Sequence, residues 1–305
     1  MAAWTIRAPR DEDFPRIAEI LRAQSREAGI EPTGTEASLR SAWSGPRFDI
    51  TRHARVAEVE GEIAAAGRMH FEGTFTDASS YVLSEHRGQG IGTALLRYFL
   101  DTARAEPGIN EFYTWASAAI PPAIALLEAF PGSSHERTFH RMLNASPAGT
   151  PEPAWPKGIA LRALEGDELI GAMLEAHNAS FIDHWNFHPI TDEEIRHWLE
   201  QPTSDPSLWF IATASHAVAG FCVCTVLEGD GFLRGDLGPI GTTRPFRRIG
   251  LGRALLRHGV RELAARGAKE VTLGVDNQNP NQALRLYESE GFVHTHQGHV
   301  YRIQL

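Results

Sequence analysis

Residues 87–96 read Arg-Gly-Gln-Gly-Ile-Gly-Thr-Ala-Leu-Leu, and residues 247–256 read Arg-Arg-Ile-Gly-Leu-Gly-Arg-Ala-Leu-Leu. The two stretches begin 160 residues apart (247 − 87 = 160). Each follows a strand-like run and opens a long helical pattern with an apolar face. A recurrence at one fixed offset predicts that the chain contains the same structural unit twice.

The sequence around each glycine stretch repeats the same order of elements. A short strand comes first, an amphipathic helix second, then two paired strands and a third strand that runs into the glycines. After the long helix, each half closes with a strand, a helix and two short strands that end at Leu143 and Leu305. This order predicts an α/β (α+β) fold of two tandem domains, each a mostly antiparallel mixed sheet flanked by helices.

A proline-rich segment separates the repeats. Residues 145–158 read ASPAGTPEPAWPKG, with four prolines and no apolar periodicity, which predicts an extended, semi-rigid spacer. The predicted domains are residues 1–144 and 159–305, in line with roughly 150 residues per domain for a chain of 305.

Composition narrows the class of protein. The 29 basic and 38 acidic residues give a net charge of −9, which argues against general affinity for nucleic acid or anionic membranes. Two cysteines cannot build a disulfide framework, and neither a signal-peptide core nor a membrane-length apolar run occurs. We therefore expect a cytoplasmic protein with no nucleic-acid or membrane partner.

The glycine stretches have the chemistry of an anion site. Glycine lets a ligand approach the backbone closely, and the N–H groups of a first helical turn have no intrahelical partner. Together with the positive end of the helix dipole, they suit a pyrophosphate. The spacing fits neither the dinucleotide-binding Gly-x-Gly-x-x-Gly pattern nor a Walker loop. The alternative is that Gly250 and Gly252 merely allow tight packing of helix on sheet.

The motifs resemble the GNAT acetyltransferase superfamily. The resemblance rests on the strand–RxxGxG–helix order and on residues 279–292, Asn-Pro-Asn-Gln-Ala-Leu-Arg-Leu-Tyr-Glu-Ser-Glu-Gly-Phe, about 35 residues downstream. The tandem architecture also resembles the mycothiol synthases within that superfamily. The resemblance implies acetyl-CoA as co-substrate and assigns coenzyme contacts to the following positions: Ile240, Gly241, Thr242, Arg247, Arg248, Ile249, Gly250, Leu251, Gly252, Arg253 and Asn279, and in the first half Val82, Arg87, Gly88, Gly90, Gly92 and Thr93.

The same resemblance places a general acid and a base in the second half. Tyr287 would protonate the departing thiolate, the alternative being a core aromatic residue. Asp236, on the strand before the glycine loop, would deprotonate the amine, the alternative being a solvated carboxylate. Six residues separate Asp236 from Thr242, so a regular strand would carry both on one face, an alternation that a bulge at Pro239 would break.

The first half departs from the motif at the position of the general acid. Aligning residues 123–132 with 283–292 sets Leu127 opposite Tyr287, so no phenol is available there. We predict that the first domain does not catalyse. It would either hold coenzyme through its intact glycine loop or support the second domain.

Other polar clusters have weaker assignments. Asp183, His184 and Trp185 lie in a loop that is a candidate for substrate contacts, with ordinary aromatic packing as the alternative. Cys222 and Cys224 alternate on a strand and are expected to be buried. His294, His296 and His299 are expected on a surface hairpin, and no metal-ligand spacing is recognisable.

The predicted function is acetyl-CoA-dependent acetylation of a small-molecule primary amine by direct attack in the second domain. One alternative is mycothiol synthase activity on a cysteinyl amine of a cysteine–glucosamine–inositol thiol. Another is a non-catalytic acyl-CoA-binding regulator. The sequence leaves the acceptor, the acyl length and the oligomeric state open.

Overall fold

The structure is a computed structural model that describes residues 3–30, 32, 35–229 and 231–305. The chain forms two compact units, one of residues 1–139 with 296–305 and one of residues 140–295. None of the helices in the described ranges is long and apolar enough to span a membrane.

The first unit has the predicted order of elements. Its strands and helices in chain order are β1 (Trp4–Arg7), α1 (Phe14–Glu27), α2 (Glu36–Ala42), α3 (Ile50–His53), β2 (Ala54–Val59), β3 (Glu62–Glu72), β4 (Phe75–Val82), α4 (Ile91–Ala105), β5 (Glu111–Ser117), α5 (Pro121–Ala129) and β6 (Ser133–Asn144). Its strands pair in the order β1-β2-β3-β4-β5, antiparallel except for the parallel β4–β5 pair. Separate apolar cores lie under α4 and under α1.

The second unit repeats this arrangement. Its elements are β7 (Ile159–Ala163), α6 (Ile170–Phe181), α7 (Asp192–Leu199), β8 (Trp209–Ala214), β9 (Ala217–Glu228), β10 (Leu233–Thr242), α8 (Leu251–Ala265), β11 (Glu270–Asp276), α9 (Ala283–Ser289) and β12 (Val293–Ile303). The order β7-β8-β9-β10-β11 is again antiparallel except for the parallel β10–β11 pair. The predicted α/β fold of mostly antiparallel strands flanked by helices is confirmed, although the strands belong to one 12-stranded sheet rather than to two sheets.

In each unit, the two parallel strands stop pairing before the first of them ends. In the first unit the β4–β5 ladder ends at Ala78 and Thr114, although β4 continues to Val82. In the second unit the β10–β11 ladder ends at Leu237 and Leu273, although β10 continues to Thr242. Apart from the Thr242 carbonyl oxygen, which accepts from Arg247 Nε at 3.1 Å, backbone groups on this edge of Ile240–Thr242 can pair with an extended ligand, as an added strand would.

The closing strands differ from the expected pairs of short strands. Each half ends in one long strand, β6 or β12, and the three histidines of β12 therefore lie on a single strand rather than on a hairpin. The last ten residues belong to the first unit, where Gly298–Ile303 pairs with β5. The domain limits that the sequence predicts, residues 144 and 159, stay a prediction.

The proline-rich segment is extended but packs on α8 of its own unit. The Arg261 guanidinium donates to the Thr150 carbonyl oxygen at 2.9 Å, and the Trp155 and His258 rings lie 5.8 Å apart. Trp155 also contacts the apolar core of the second unit.

Candidate active site

The two glycine loops have the same backbone conformation. Gly90 and Gly250, the residues before α4 and α8, have φ of 87° and 92°. Two residues earlier, Gly88 and Arg248 have φ of 74° and 65°. Both positions lie in the left-handed region, which glycine enters without penalty and other residues at a cost of about 1–2 kcal/mol. The loop therefore keeps its shape even where Arg248 replaces a glycine.

This shape leaves backbone donors and space for a ligand. At the start of α8, the Ala254 N–H donates to the Gly250 carbonyl oxygen at 3.1 Å. The N–H groups of the preceding turn have no intrahelical acceptor. A side chain at Gly250 would meet no atom within 4 Å, so open space lies beside these donors. Donors, helix dipole and space together fit a pyrophosphate group.

The first arginine of each loop points back into the fold rather than toward this space. Arg247 Nε donates to the Thr242 carbonyl oxygen at 3.1 Å, and Arg87 Nε donates to the Val82 carbonyl oxygen at 3.0 Å. Arg87 also forms a two-bond ion pair with Glu27 at 2.5 and 2.6 Å. These guanidiniums fix the end of the strand to the end of the unit's first helix.

Asp183 is the corresponding acid in the second unit. It pairs with Arg247 at 2.7 Å and also with Arg244. These two arginines hold the pKa of the Asp183 carboxyl well below its usual range. The predicted substrate contact through Asp183 stays a prediction, but the carboxylate is already occupied. Its neighbour His184 packs on Phe181 with ring centroids 4.3 Å apart, and burial lowers the pKa of that histidine.

Two further predicted coenzyme residues have local partners. Arg253 pairs with Glu290 at 3.0 Å, which links α8 to the end of α9. The Asn279 side chain accepts a hydrogen bond from the Asn281 N–H at 2.8 Å and so shapes the loop before α9. Arg248 is exposed, and no acidic side chain in the described ranges lies within ion-pair distance of it. Arg248 is thus the loop arginine best able to contact a phosphate.

The predicted coenzyme residues of the first unit line one cavity of about 600 Å³. Its wall includes Val82, Arg87, Gly88, Gly90, Gly92 and Thr93. Leu127 lies in the same wall, where the motif in the second half has Tyr287. The volume is in the usual range for small-molecule sites, and the cavity offers no phenol at the motif position.

A bulge in β10 changes which residues share a face. Leu237 pairs with Cys224, and Ile240 pairs with Cys222. Three residue steps along β10 therefore span the same length as two residue steps along β9. Leu237 and Ile240 accordingly both face the core under α8. The prediction that Asp236 and Thr242 share a face is wrong, because the extra residue at Gly238–Pro239 inverts the alternation.

Asp236 lies on the face opposite α8 and is held by two donors. Arg141 Nη2 contacts Asp236 Oδ1 at 2.6 Å, and the Thr272 hydroxyl donates to the same oxygen at 2.9 Å. Arg141 also donates to the Thr272 hydroxyl oxygen at 2.8 Å, which closes a three-membered network. The aspartate side chain keeps about a quarter of its surface exposed (27%), enough for a ligand to reach it.

Tyr287 lies on the other face. It is 7% exposed and belongs to the core under α8, together with Cys222 and Ile240. Burial raises the pKa of the Tyr287 phenol, so that it keeps its proton at neutral pH. Asp236 and Tyr287 therefore lie on opposite faces of the sheet of the second unit.

The first unit has an acid at the same strand position, which sequence comparison at a constant offset missed. Phe75 pairs with Glu111 and Arg234 with Glu270, so the repeats are offset by 159 residues here (234 − 75 = 159). Asp77 is thus the counterpart of Asp236. Burial raises the pKa of the Asp77 carboxyl, whereas the Trp115 side chain hydrogen-bonds to it and favours its charged form.

The residue beside this acid differs between the units. Strands β5 and β11 read Glu-Phe-Tyr-Thr-Trp-Ala-Ser and Glu-Val-Thr-Leu-Gly-Val-Asp and have the same burial pattern, which aligns Trp115 with Gly274. A side chain at Gly274 would meet no atom within 4 Å. The acid of the second unit therefore has open space where that of the first unit has an indole.

The remaining candidates have structural surroundings. Cys222 and Cys224 are fully buried, as predicted, with sulfur atoms 3.6 Å apart and packed against Gly259. His294 contacts His140, with Nδ1 atoms 3.1 Å apart. Among the described residues, no three His, Cys, Asp or Glu side chains are grouped as metal ligands.

Comparison with known proteins identifies relatives along nearly the whole chain. The sequence profile of the acetyltransferase (GNAT) family matches residues 14–130 and 170–292. A mycothiol acetyltransferase of Thermobispora bispora is 29% identical over 284 residues, 92% of each chain. Another, of Thermomonospora curvata, is 30% identical over 288 residues, 91% of this chain and 90% of that protein.

Solved structures show the same architecture. A GCN5-related N-acetyltransferase from Sphaerobacter thermophilus has a TM-score of 0.79 and 27% identity, and the match covers 99% of this chain and 95% of that one. A tandem GNAT protein from the clavulanic acid biosynthesis pathway has a TM-score of 0.76 and 14% identity, with 99% and 98% coverage. The second likeness is one of fold alone.

Proposed function

The chain belongs to the GNAT acetyltransferase family, and from that premise we propose that its second unit transfers the acetyl group of acetyl-CoA to the primary amine of a small molecule. The single observation that carries the assignment to this unit is the open space at Gly274 beside Asp236. In the first unit the indole of Trp115 takes up this position beside the counterpart acid, Asp77. An amine therefore meets an indole beside the carboxylate of the first unit and open space beside that of the second.

Coenzyme binding is assigned to the glycine loop and the free edge of β10. The N–H groups after Gly250 and the Arg248 side chain would hold the pyrophosphate, while Ile240–Thr242 would pair with the pantetheine arm. A backbone N–H of this edge would polarise the thioester carbonyl and stabilise negative charge on its oxygen. Arg244, Arg247 and Arg253 act indirectly, by fixing the loop through Asp183 and Glu290.

Asp236 and Tyr287 divide the proton transfers between the two faces of the sheet. Asp236, directly or through a water, accepts a proton from the ammonium so that the neutral amine can attack. Tyr287 donates its proton to the leaving thiolate. The attacking nitrogen releases its second proton as the tetrahedral intermediate collapses, and Tyr287 is reprotonated through solvent. General acid and general base steps contribute on the order of 10²–10⁴-fold each. The attack is direct: the amine adds to the thioester carbonyl carbon, and the thiolate leaves from the resulting tetrahedral intermediate.

The first unit is proposed to bind coenzyme without catalysing. Its 600 Å³ cavity is lined by all six predicted residues of the loop and strand. Leu127 and Trp115 replace the phenol and the open acceptor space, so the cavity offers neither acid catalysis nor access to Asp77.

The mycothiol precursor is the first acceptor to test. The observation that favours it is the identity of 29–30% to proteins named mycothiol acetyltransferase over at least nine-tenths of both chains. The acceptor is then the cysteinyl amine of a cysteine–glucosamine–inositol thiol. A non-catalytic acyl-CoA-binding role has less support, because Tyr287 and the space at Gly274 are both retained.

The test is release of CoA from acetyl-CoA in the presence of separate amines: the mycothiol precursor, polyamines, aminoglycosides, amino acids and short peptides. We expect release with one acceptor class and its loss in Tyr287→Phe. Arg248→Gly should raise the KM for acetyl-CoA severalfold without straining the loop, since glycine accepts a positive φ. Tight acetyl-CoA binding with no turnover on any amine would contradict the catalytic assignment and support the regulator.

A further inference from the structure

A second cavity lies in the first unit, on the face of β4 opposite α4. Its volume is about 380 Å³, and its walls come from α1, α2 and the adjoining strands β3 and β4. Its lining includes Leu21, Leu39, Trp43, Ala66, Arg68 and Tyr81. None of them is among the residues assigned to the coenzyme cavity or to the proposed active site.

The repeat shows why this space exists. Ala66 pairs with Tyr81, and the equivalent pair in the second unit is Phe221 with Gly241. Phe221 is fully buried in the core beside α6, and α6 itself approaches Gly241 so closely that a side chain there would lie 2.5 Å from Ser180 Cβ. In the first unit, alanine replaces the phenylalanine ring and leaves space, and Tyr81 brings a phenol to its edge.

Arg68 supplies a cation that the fold does not use. Its equivalent on β9 is Val223, an apolar residue packed against the core beside α6. In the part of the chain that the structure describes, no carboxylate lies within ion-pair distance of Arg68, although Asp77 and Tyr81 both feel its charge. A half-buried guanidinium whose nearest carboxylate lies beyond ion-pair distance recovers only part of the hydration that it loses. A bound anion would supply that attraction.

We propose that this cavity binds a small monocarboxylate with an aromatic or branched apolar body. The guanidinium of Arg68 matches a carboxylate through two parallel hydrogen bonds, and the Tyr81 hydroxyl can donate a third. The apolar body fits among Leu21, Leu39 and Trp43. Arg22 also lines the cavity, but Asp77 lies close enough to Arg68 to repel a second negative charge there, so a monoanion fits better than a phosphate dianion. The volume admits a molecule of metabolite size.

The test is isothermal titration of the full chain with 3-phenylpropanoate and, in parallel, with the neutral 3-phenylpropanamide. We expect the carboxylate to bind at least tenfold more tightly than the amide. Arg68→Met keeps the apolar stem of the side chain and should remove that difference. Arg68→Lys keeps the charge but not the two-bond geometry and should reduce the difference in part, which provides a second variant if the first does not fold.

A matched variant tests the place of binding. Ala66→Phe copies the residue of the second unit and should abolish binding of 3-phenylpropanoate while the thermal unfolding midpoint and acetyl transfer stay unchanged. Equal affinity for acid and amide, or unchanged binding in Ala66→Phe, would overturn the proposal. So would the absence of binding for aromatic and branched carboxylates alike. Because none of these residues belongs to the proposed catalytic apparatus, failure here leaves the proposed acetyl transfer standing.

Discussion

Trp115 in the first unit and Gly274 in the second occupy the same position on equivalent strands, each next to a strand that carries an aspartate. The indole of Trp115 hydrogen-bonds to Asp77. A Cβ atom at Gly274, in contrast, would meet no atom within 4 Å. One residue thus decides whether an indole or open space lies beside the carboxylate. The two units keep the same fold and differ in what lies beside the acid.

Gly274→Trp should close the acceptor space of the second unit. Because Gly274 is exposed and a Cβ there meets no atom within 4 Å, the variant should fold and bind acetyl-CoA normally. Exclusion of the amine from Asp236 should lower kcat/KM for the acceptor by about 10²-fold or more. Steady-state kinetics with the acceptor identified by the panel would measure this change, and equilibrium binding of acetyl-CoA would serve as the folding control.

Trp115→Gly is the matched control for that substitution. It removes an indole from the first unit, where we propose no catalysis, and should leave the rate of acetyl transfer within twofold of the wild-type rate. A large loss of rate in Trp115→Gly, or wild-type kinetics in Gly274→Trp, would show that acceptor access does not depend on this position.

Tyr287 should act as a proton donor in the reaction, which requires that its phenol is protonated. Burial raises the pKa of Tyr287 above the usual value of about 10, so the phenol remains a donor at every pH below that value. We expect kcat to show no loss between pH 7 and about 10. Tyr287→Phe should lower kcat by about 10²-fold at every pH in this range. A wild-type fall in kcat centred below pH 9, absent from Tyr287→Phe, would be inconsistent with the raised pKa.

The elements set by local sequence were predictable, and the relationships between distant residues were not. The glycine loops, their helices and the paired strands follow from periodicity and glycine spacing. The counterpart of Asp236 was missed because the bulge at Gly238–Pro239 changes the repeat offset from 160 to 159 within a single strand. The Asp183 ion pairs join residues 61 and 64 positions apart, and no local pattern specifies such a contact.

The ion pairs of Asp183 should make the stability of the second unit depend on pH in acid. Its folded pKa lies below that of the unfolded chain, so the pairs stabilise the fold above the unfolded value of about 3.9. That stabilisation is lost as pH falls through the folded pKa. Asp183→Asn should therefore unfold more readily than wild type at pH 6, and the difference should shrink below pH 4.

Urea unfolding at a series of pH values would measure this difference. Arg244→Met keeps the pair of Asp183 with Arg247 and should remove only part of the pH dependence. A gap between wild type and Asp183→Asn that stays constant from pH 6 to pH 2 would mean that the carboxylate charge is not what stabilises the loop.

The assignment of the last ten residues to the first unit predicts that residues 1–144 will not fold stably alone. The segment from Gly298 to Ile303 pairs with β5 and buries Val300, Tyr301 and Ile303, each at most 3% exposed. Burial of such side chains stabilises by roughly 1.5–3 kcal/mol each, a sum comparable to the whole stability of a small domain.

The isolated fragment should lack a cooperative thermal transition by circular dichroism. Fusion of residues 293–305 to its end through a long Gly/Ser linker should restore that transition, because β5 regains its partner. A cooperative transition in the unfused fragment would show that β5 does not need this strand.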